Sequence, residues 1–190
     1  ATVMSAAAQA ETDLAAARAE AEALEQEALA SAEAAASRAA LNRVSTAIET
    51  GAPFADALGD LGGDLPAALS SAAENGVATT AELTSDFPAA ARAALATARA
   101  EGVSDESGGL GGFLRNQFDV RSTAPQEGSS PDAVLSRAEA AIKEGRVADA
   151  LAEIEALPEV ARAEMTDWTA QATERADVLD AVATLSETYN

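Results

Sequence analysis

Residues 1–49, ATVMSAAAQAETDLAAARAEAEALEQEALASAEAAASRAALNRVSTAIE, decide the fold. The run holds no glycine or proline, and it is built from Ala, Glu, Leu, Arg and Gln, the residues that lose least on entering a helix. It predicts one long helix. Val3, Ala7, Ala10, Leu14, Ala17, Ala21, Leu24 and Ala28 recur at alternating spacings of four and three, the a/d seam of a coiled coil. After Ala28 the phase shifts, and the apolar set becomes Leu41, Val44 and Ile48. Alanine at most seam positions lets partner helices approach closely but buries little area, so the pairing is expected to be marginal on its own. Leu14 and Leu24 are its large side chains. Self-association into a dimer or higher oligomer is expected through this helix or through the carboxy-terminal hairpin.

Beyond this stub, residues 50–102 read as an array of short helices. Gly51 and Pro53 stop the first helix, and Phe54, Leu58 and Leu61 line one side of the next. Asp64 is expected to cap a helix with Pro66 in its first turn, closing at Asn75-Gly76. Thr79-Thr80 with Glu82 suggests another capped turn, and Asp86-Phe87-Pro88 is expected to open a helix that stops at Gly102. Residues 103–130 read as a flexible segment carrying an amphipathic island at 110–121. Residues 131–190 read as a helical hairpin plus a long third helix. Ser130-Pro131 starts the hairpin; Val134, Leu135, Ala138 and Ile142 face inward from its first helix, and Val147, Leu151, Ile154 and Leu157 from its second. Ala161, Met165, Trp168, Ala172, Leu179 and Val182 are expected to form the inner face of one last helix. Gly145–Leu157 (GRVADALAEIEAL) resembles the inter-helix turn of a tetratricopeptide repeat, without any 34-residue period. No run alternates apolar and polar residues as a strand does. The fold class is all-α: a long coiled-coil-like amino-terminal helix, then a compact array of short helices, then a carboxy-terminal helical hairpin plus long helix.

Composition narrows function. Apolar residues make up 48% of the chain but aromatics only 3%, so the core rests on a few Leu, Ile, Val, Phe and Trp side chains. The net charge of −20 argues against nucleic acid as a partner and against adsorption of the whole surface to anionic lipid. Histidine and cysteine are absent, which removes the commonest general base, the commonest metal ligand and all thiol chemistry. No phosphate loop, nucleophile elbow or metal-ligand cluster appears, and nothing singles out two of the 32 acids as a catalytic pair. No enzyme activity, metal or cofactor is expected. Trp168 reads as a core anchor. No apolar run is long enough to cross a bilayer. The chain starts inside a helical pattern without a leader or initiator methionine, which prompts the expectation of further chain upstream.

The island is the exception in this acidic chain. Phe113, Leu114 and Phe118 fall on one helical face, with Val120 near its edge and Arg115 and Arg121 beside it. Two arginines against Asp119 give residues 108–123 a local charge of +1. Apolar side chains at the acyl boundary with arginines at headgroup level suit an interfacial helix. These six residues are the candidate membrane contact.

A family resemblance joins these observations. Ile48-Glu49-Thr50-Gly51-Ala52-Pro53-Phe54 with Leu58 and Leu61 resembles the first such segment of bacterial mitofilin-family proteins. Asn75-Gly76-Val77-Ala78-Thr79 through Leu83, then Phe87-Pro88-Ala89-Ala90-Ala91-Arg92, is similar to the second. Val134-Leu135-Ser136-Arg137-Ala138-Glu139, Gly145, Ala150-Leu151, Leu157 and Asp167-Trp168 are similar to the carboxy-terminal mitofilin signature. The chain departs from that pattern at Arg146 and Val147, and a HemX-like helical family shares part of it. The resemblance implies a bacterial inner-membrane protein with its anchor upstream, exposed on the periplasmic side. It also implies that the protein self-associates, touches lipid, shapes invaginations and meets an outer-membrane or periplasmic protein. The alternative is a helical interaction module, HemX-like or repeat-like, without membrane binding.

Overall fold

Helix α1 (Thr2–Thr50) is 49 residues long, at least four times the usual globular length. It ends where glycine first appears. Gly51 takes φ of +72°, and the Ala52 N–H turns back to the Ala47 carbonyl at 2.9 Å, the outer bond of a Schellman stop. The structure is a computed structural model describing residues 2–102 and 128–189, of which 81% are helical, with no strand among them. The remaining described helices are α2 (Ala55–Gly59), α3 (Ala67–Ala72), α4 (Thr80–Ala100), α5 (Pro131–Lys143), α6 (Val147–Glu155), α7 (Glu159–Ala163) and α8 (Thr166–Tyr189). The all-α expectation holds, with the long first helix and the long last one.

Two buried clusters organise these elements. In the first, Leu83, Phe87, Ala94 and Ala98 of α4 pack against α5, α6, α7 and the first turns of α8. In the second, Ala40, Leu41, Val44 and Ile48 of α1 pack against Phe54, Leu58, Leu69, Val77 and the second half of α8. Helix α8 therefore belongs to both. The hairpin of α5 and α6 forms as its signals predict: Ser130 accepts the Ala133 N–H at 3.3 Å, Pro131 takes the first helical position, and Gly145 at φ +78° turns the chain. Arg137 ties the pair together, its guanidinium meeting the Glu153 carboxylate at 2.8 Å and the Gly128 carbonyl at 2.8 Å.

Four local expectations need correction. Asp86-Phe87-Pro88 does not open a helix, because α4 runs through it from Thr80. Proline there removes one backbone bond, yet Leu83, Phe87, Ala94 and Ala98 lie on one continuous stripe that only an unbroken helix can bury. Asp64 does not cap α3; Pro66 holds the cap position with no side-chain bond. The last helix is two. The Glu164 and Met165 N–H groups bond three residues back, to Ala161 and Arg162, and this tightened turn lets α8 restart at a new angle with Met165 fully buried. Finally, Leu179 is 41% exposed, and Val178, Ala181 and Leu185 take the inward positions.

Gly76 is where the second cluster is most tightly drawn. Its φ is +74°, and a Cβ there would lie 2.3 Å from the Gly51 carbonyl oxygen and 2.9 Å from that of Ala52. The neighbouring bonds from Phe54 N–H and Ala55 N–H to the Ala73 carbonyl, at 2.8 and 3.1 Å, hold that approach fixed. Gly76→Ala is therefore expected to cost about 2–4 kcal/mol, from left-handed strain plus a backbone clash. Gly59→Ala meets nothing within 4 Å on a helical backbone and should be neutral or stabilise by up to about 1 kcal/mol. Urea unfolding of both variants checks this; equal midpoints would contradict the close approach.

Candidate functional site

Two features stand out once ordinary packing is accounted for: an unpartnered arm and a buried arginine. Residues 2–33 of α1 are all exposed, a rod of roughly 48 Å at the helical rise. Leu14 is 51% exposed and Leu24 59%, and Val3, Met4 and Leu29 are exposed beside them. The two predicted seam leucines thus lie free of the domain. A helix advances about 100° per residue, which sets the 3-to-28 seam roughly 160° around α1 from the Leu41–Val44–Ile48 stripe. The seam points away from the packed face, so anything docked on it would not collide with α2 or α8 along that stripe.

At the root of the arm sits Arg175, 6% exposed and the one buried charged residue among those described. Its Nη1 donates to the Ile48 carbonyl at 3.1 Å and to the Ala78 carbonyl at 2.9 Å. The first belongs to the last turn of α1, whose carbonyls have no helical partner and carry the negative end of the helix dipole. Desolvation pulls the guanidinium pKa below its ordinary value, and the charges of Glu49 and Glu82 partly restore it. Its Nε has no hydrogen-bond partner. Sequence reasoning missed this residue because it followed only apolar positions. Arg175 lies three residues after Ala172 and three before Val178, on the same buried face; the periodicity itself was the signal.

Beside Arg175, Glu82 closes the start of α4. Its carboxylate accepts the Thr79 N–H at 2.8 Å, while the Thr79 hydroxyl accepts the Glu82 N–H at 3.1 Å, a complete capping box. Trp168 is a core anchor, as its spacing predicts: its indole N–H donates to the Leu83 carbonyl at 2.9 Å, and its ring meets Phe87 edge-on at 5.1 Å.

An open groove of about 310 Å³ between α4 and α5 is lined by Phe87, Pro88, Leu95 and Leu135, with Arg92 and Glu139 at its margins. No group of metal-ligating side chains occurs among the described residues. No described helix is long and apolar enough to cross a membrane. The candidate membrane contact, Phe113, Leu114, Arg115, Phe118, Val120 and Arg121, lies outside the described residues.

Comparison with protein-family models, curated proteins and solved structures gave no match. These comparisons show no family for the chain. The three sequence segments quoted above fall on identifiable parts of the fold. The first is the stop of α1 with the Phe54 anchor, the second the Gly76 approach and the α4 cap, and the third the α5–α6 hairpin with Trp168.

The capping box sets a pH dependence. Hydrogen bonds from the Thr79 backbone and side chain lower the Glu82 pKa from its ordinary 4.5, with Arg175 adding to the effect. A carboxylate depressed on folding stabilises the fold above its unfolded pKa and loses that contribution as pH falls through the folded value. Glu82→Ala should therefore be less stable than the parent at pH 7, and the gap should narrow below 4.5. Urea midpoints across that range measure it; a gap independent of pH would show that the carboxylate's charge is immaterial.

Proposed function

We propose that this chain is a non-enzymatic helical scaffold that organises the bacterial inner membrane from the periplasmic side, assembling through α1 and touching lipid through residues 110–121. The observation that carries the reading is the arm: a roughly 48 Å helix with Leu14, Leu24 and Leu29 half exposed and no intramolecular partner. Leu14 and Leu24, exposed leucines at coiled-coil spacing, are a surface to be covered. Burying each would contribute about 1.5–3 kcal/mol, and the alanines between them permit close helix approach. The mitofilin-like motifs supply the membrane part of the reading, with an anchor upstream and an outer-membrane or periplasmic protein as a further partner. A second reading, an interaction module of HemX-like or repeat-like type, is favoured by one observation. The chain carries a charge of −20, which opposes contact with anionic lipid.

Assembly is checked by sedimentation at tens of micromolar, a range suited to weak association. The parent should form a dimer or larger species, and Leu14→Asp with Leu24→Asp should shift it towards monomer, because an unpaired charge in a seam costs several kcal/mol. Acidic residues dominate the flanks of that seam, so self-association should strengthen as salt rises. A monomer at every salt concentration would remove the scaffold reading.

Lipid contact has its own test. Phe113→Asp with Phe118→Asp should reduce co-sedimentation with liposomes while helicity and melting temperature hold. Binding by this chain alone should be weak, because the three large apolar side chains contribute at most about 5–8 kcal/mol, from which the conformational entropy lost on binding is subtracted. If the double variant unfolds, those residues serve the core and the interaction-module reading replaces the membrane one.

A further inference from the structure

We infer that the arm of α1 is built to pair with a basic amphipathic helix of another chain in preference to a second copy of itself. This rests on the proposed role of the arm as an assembly element, and it names the partner's chemistry. Along the seam, the residue before Leu14, Ala21 and Ala28 is acidic each time: Asp13, Glu20, Glu27. The residue after Ala10, Ala17 and Leu24 is Glu11, Arg18 or Glu25. All six are exposed. Over residues 2–33, seven carboxylates stand against one arginine, a charge of −6.

These flanking positions are the ones that meet across a helix pair and set partner choice. In a parallel pair of identical arms Asp13 can meet Arg18, but Glu20 then meets Glu25. In an antiparallel pair the Asp13, Glu20, Glu27 row faces its own copy. No register of two identical arms neutralises both rows. Lysine or arginine flanks on a different helix neutralise all five acids. Size points the same way as charge. Alanines at 7, 10, 17, 21 and 28 leave shallow depressions that another alanine seam fills poorly and that large apolar side chains fill well.

The probe is a synthetic helix of about four heptads with Leu and Ile on its seam and Lys on its flanks, matched by the same peptide with Glu flanks. Binding to the whole chain is read by fluorescence anisotropy. The Lys peptide should bind with a Kd of about 10 µM at low salt and weaken about tenfold or more as salt rises to about 0.5 M. The Glu peptide should not bind. Leu14→Asp with Leu24→Asp makes the chain more acidic. Attraction to charge alone would therefore tighten binding, whereas seam docking should weaken it about tenfold. Glu20→Lys, Glu25→Lys and Glu27→Lys together, all on exposed positions, should reverse the preference between the two peptides. Equal affinity for both peptides, tighter binding by the Asp variant, or no binding of the Lys peptide would each overturn the inference. Dimers that strengthen with salt but ignore the Lys peptide would defeat this inference alone and leave the scaffold reading standing. A monomer that ignores it would defeat both.

Discussion

A single guanidinium joins parts of the chain that lie far apart in sequence. Arg175 bonds the carbonyls of Ile48 and Ala78 from a nearly fully buried site on α8. Burial of a charge is costly, and it is tolerated here for three physical reasons. Two carbonyls accept its protons, the end of α1 presents its negative dipole, and Glu49 and Glu82 lie close enough to stabilise the cation. The stop of α1 and the start of α4 are thereby fixed against the same helix. The close approach of Gly76 to the Gly51 carbonyl, and the capping box at Thr79, sit within the same junction.

That junction explains how an alanine-rich chain holds two clusters together. Alanines bury little area each, but they let helix axes come close, so Ala94, Ala98, Ala138, Ala150, Ala161 and Ala172 all sit at zero exposure. The larger side chains are divided. Phe87, Met165 and Trp168 serve one cluster; Ile48, Phe54 and Leu69 serve the other. Helix α8 changes from one to the other at Arg175, where an apolar residue would have left the Ile48 carbonyl at the end of α1 and the Ala78 carbonyl before α4 without these bonds.

The legible parts of the fold were those fixed by local chemistry. The absence of glycine and proline through residue 50 predicts α1, and Ser130-Pro131 and Gly145 predict the hairpin, because each signal acts within one turn. The misread parts were those where tertiary packing overrides a local cue. Pro88 looks like a helix start, but the stripe from Leu83 to Ala98 gains more from continuing than the proline costs. Leu179 looks inward only if Arg175 is stepped over; counting the arginine as a core position restores the phase to Val178. The exposed seam of Leu14 and Leu24 was legible as spacing. Its direction, away from the stripe that holds α1 to the domain, follows from the phase shift after Ala28.

The placement of Trp168 also governs how the molecule reports on itself. The one indole lies in the α4–α8 cluster, edge-on to Phe87, and the cluster around Ile48 has none. Intrinsic fluorescence is thus a private signal of the first cluster, while the ellipticity at 222 nm also counts the exposed turns of α1. A rod that frays from its free end and a core that melts as a unit need not lose their signals together. Unequal optical transitions in this chain would then report a partly unfolded state in which the arm has frayed and the core around Trp168 is intact.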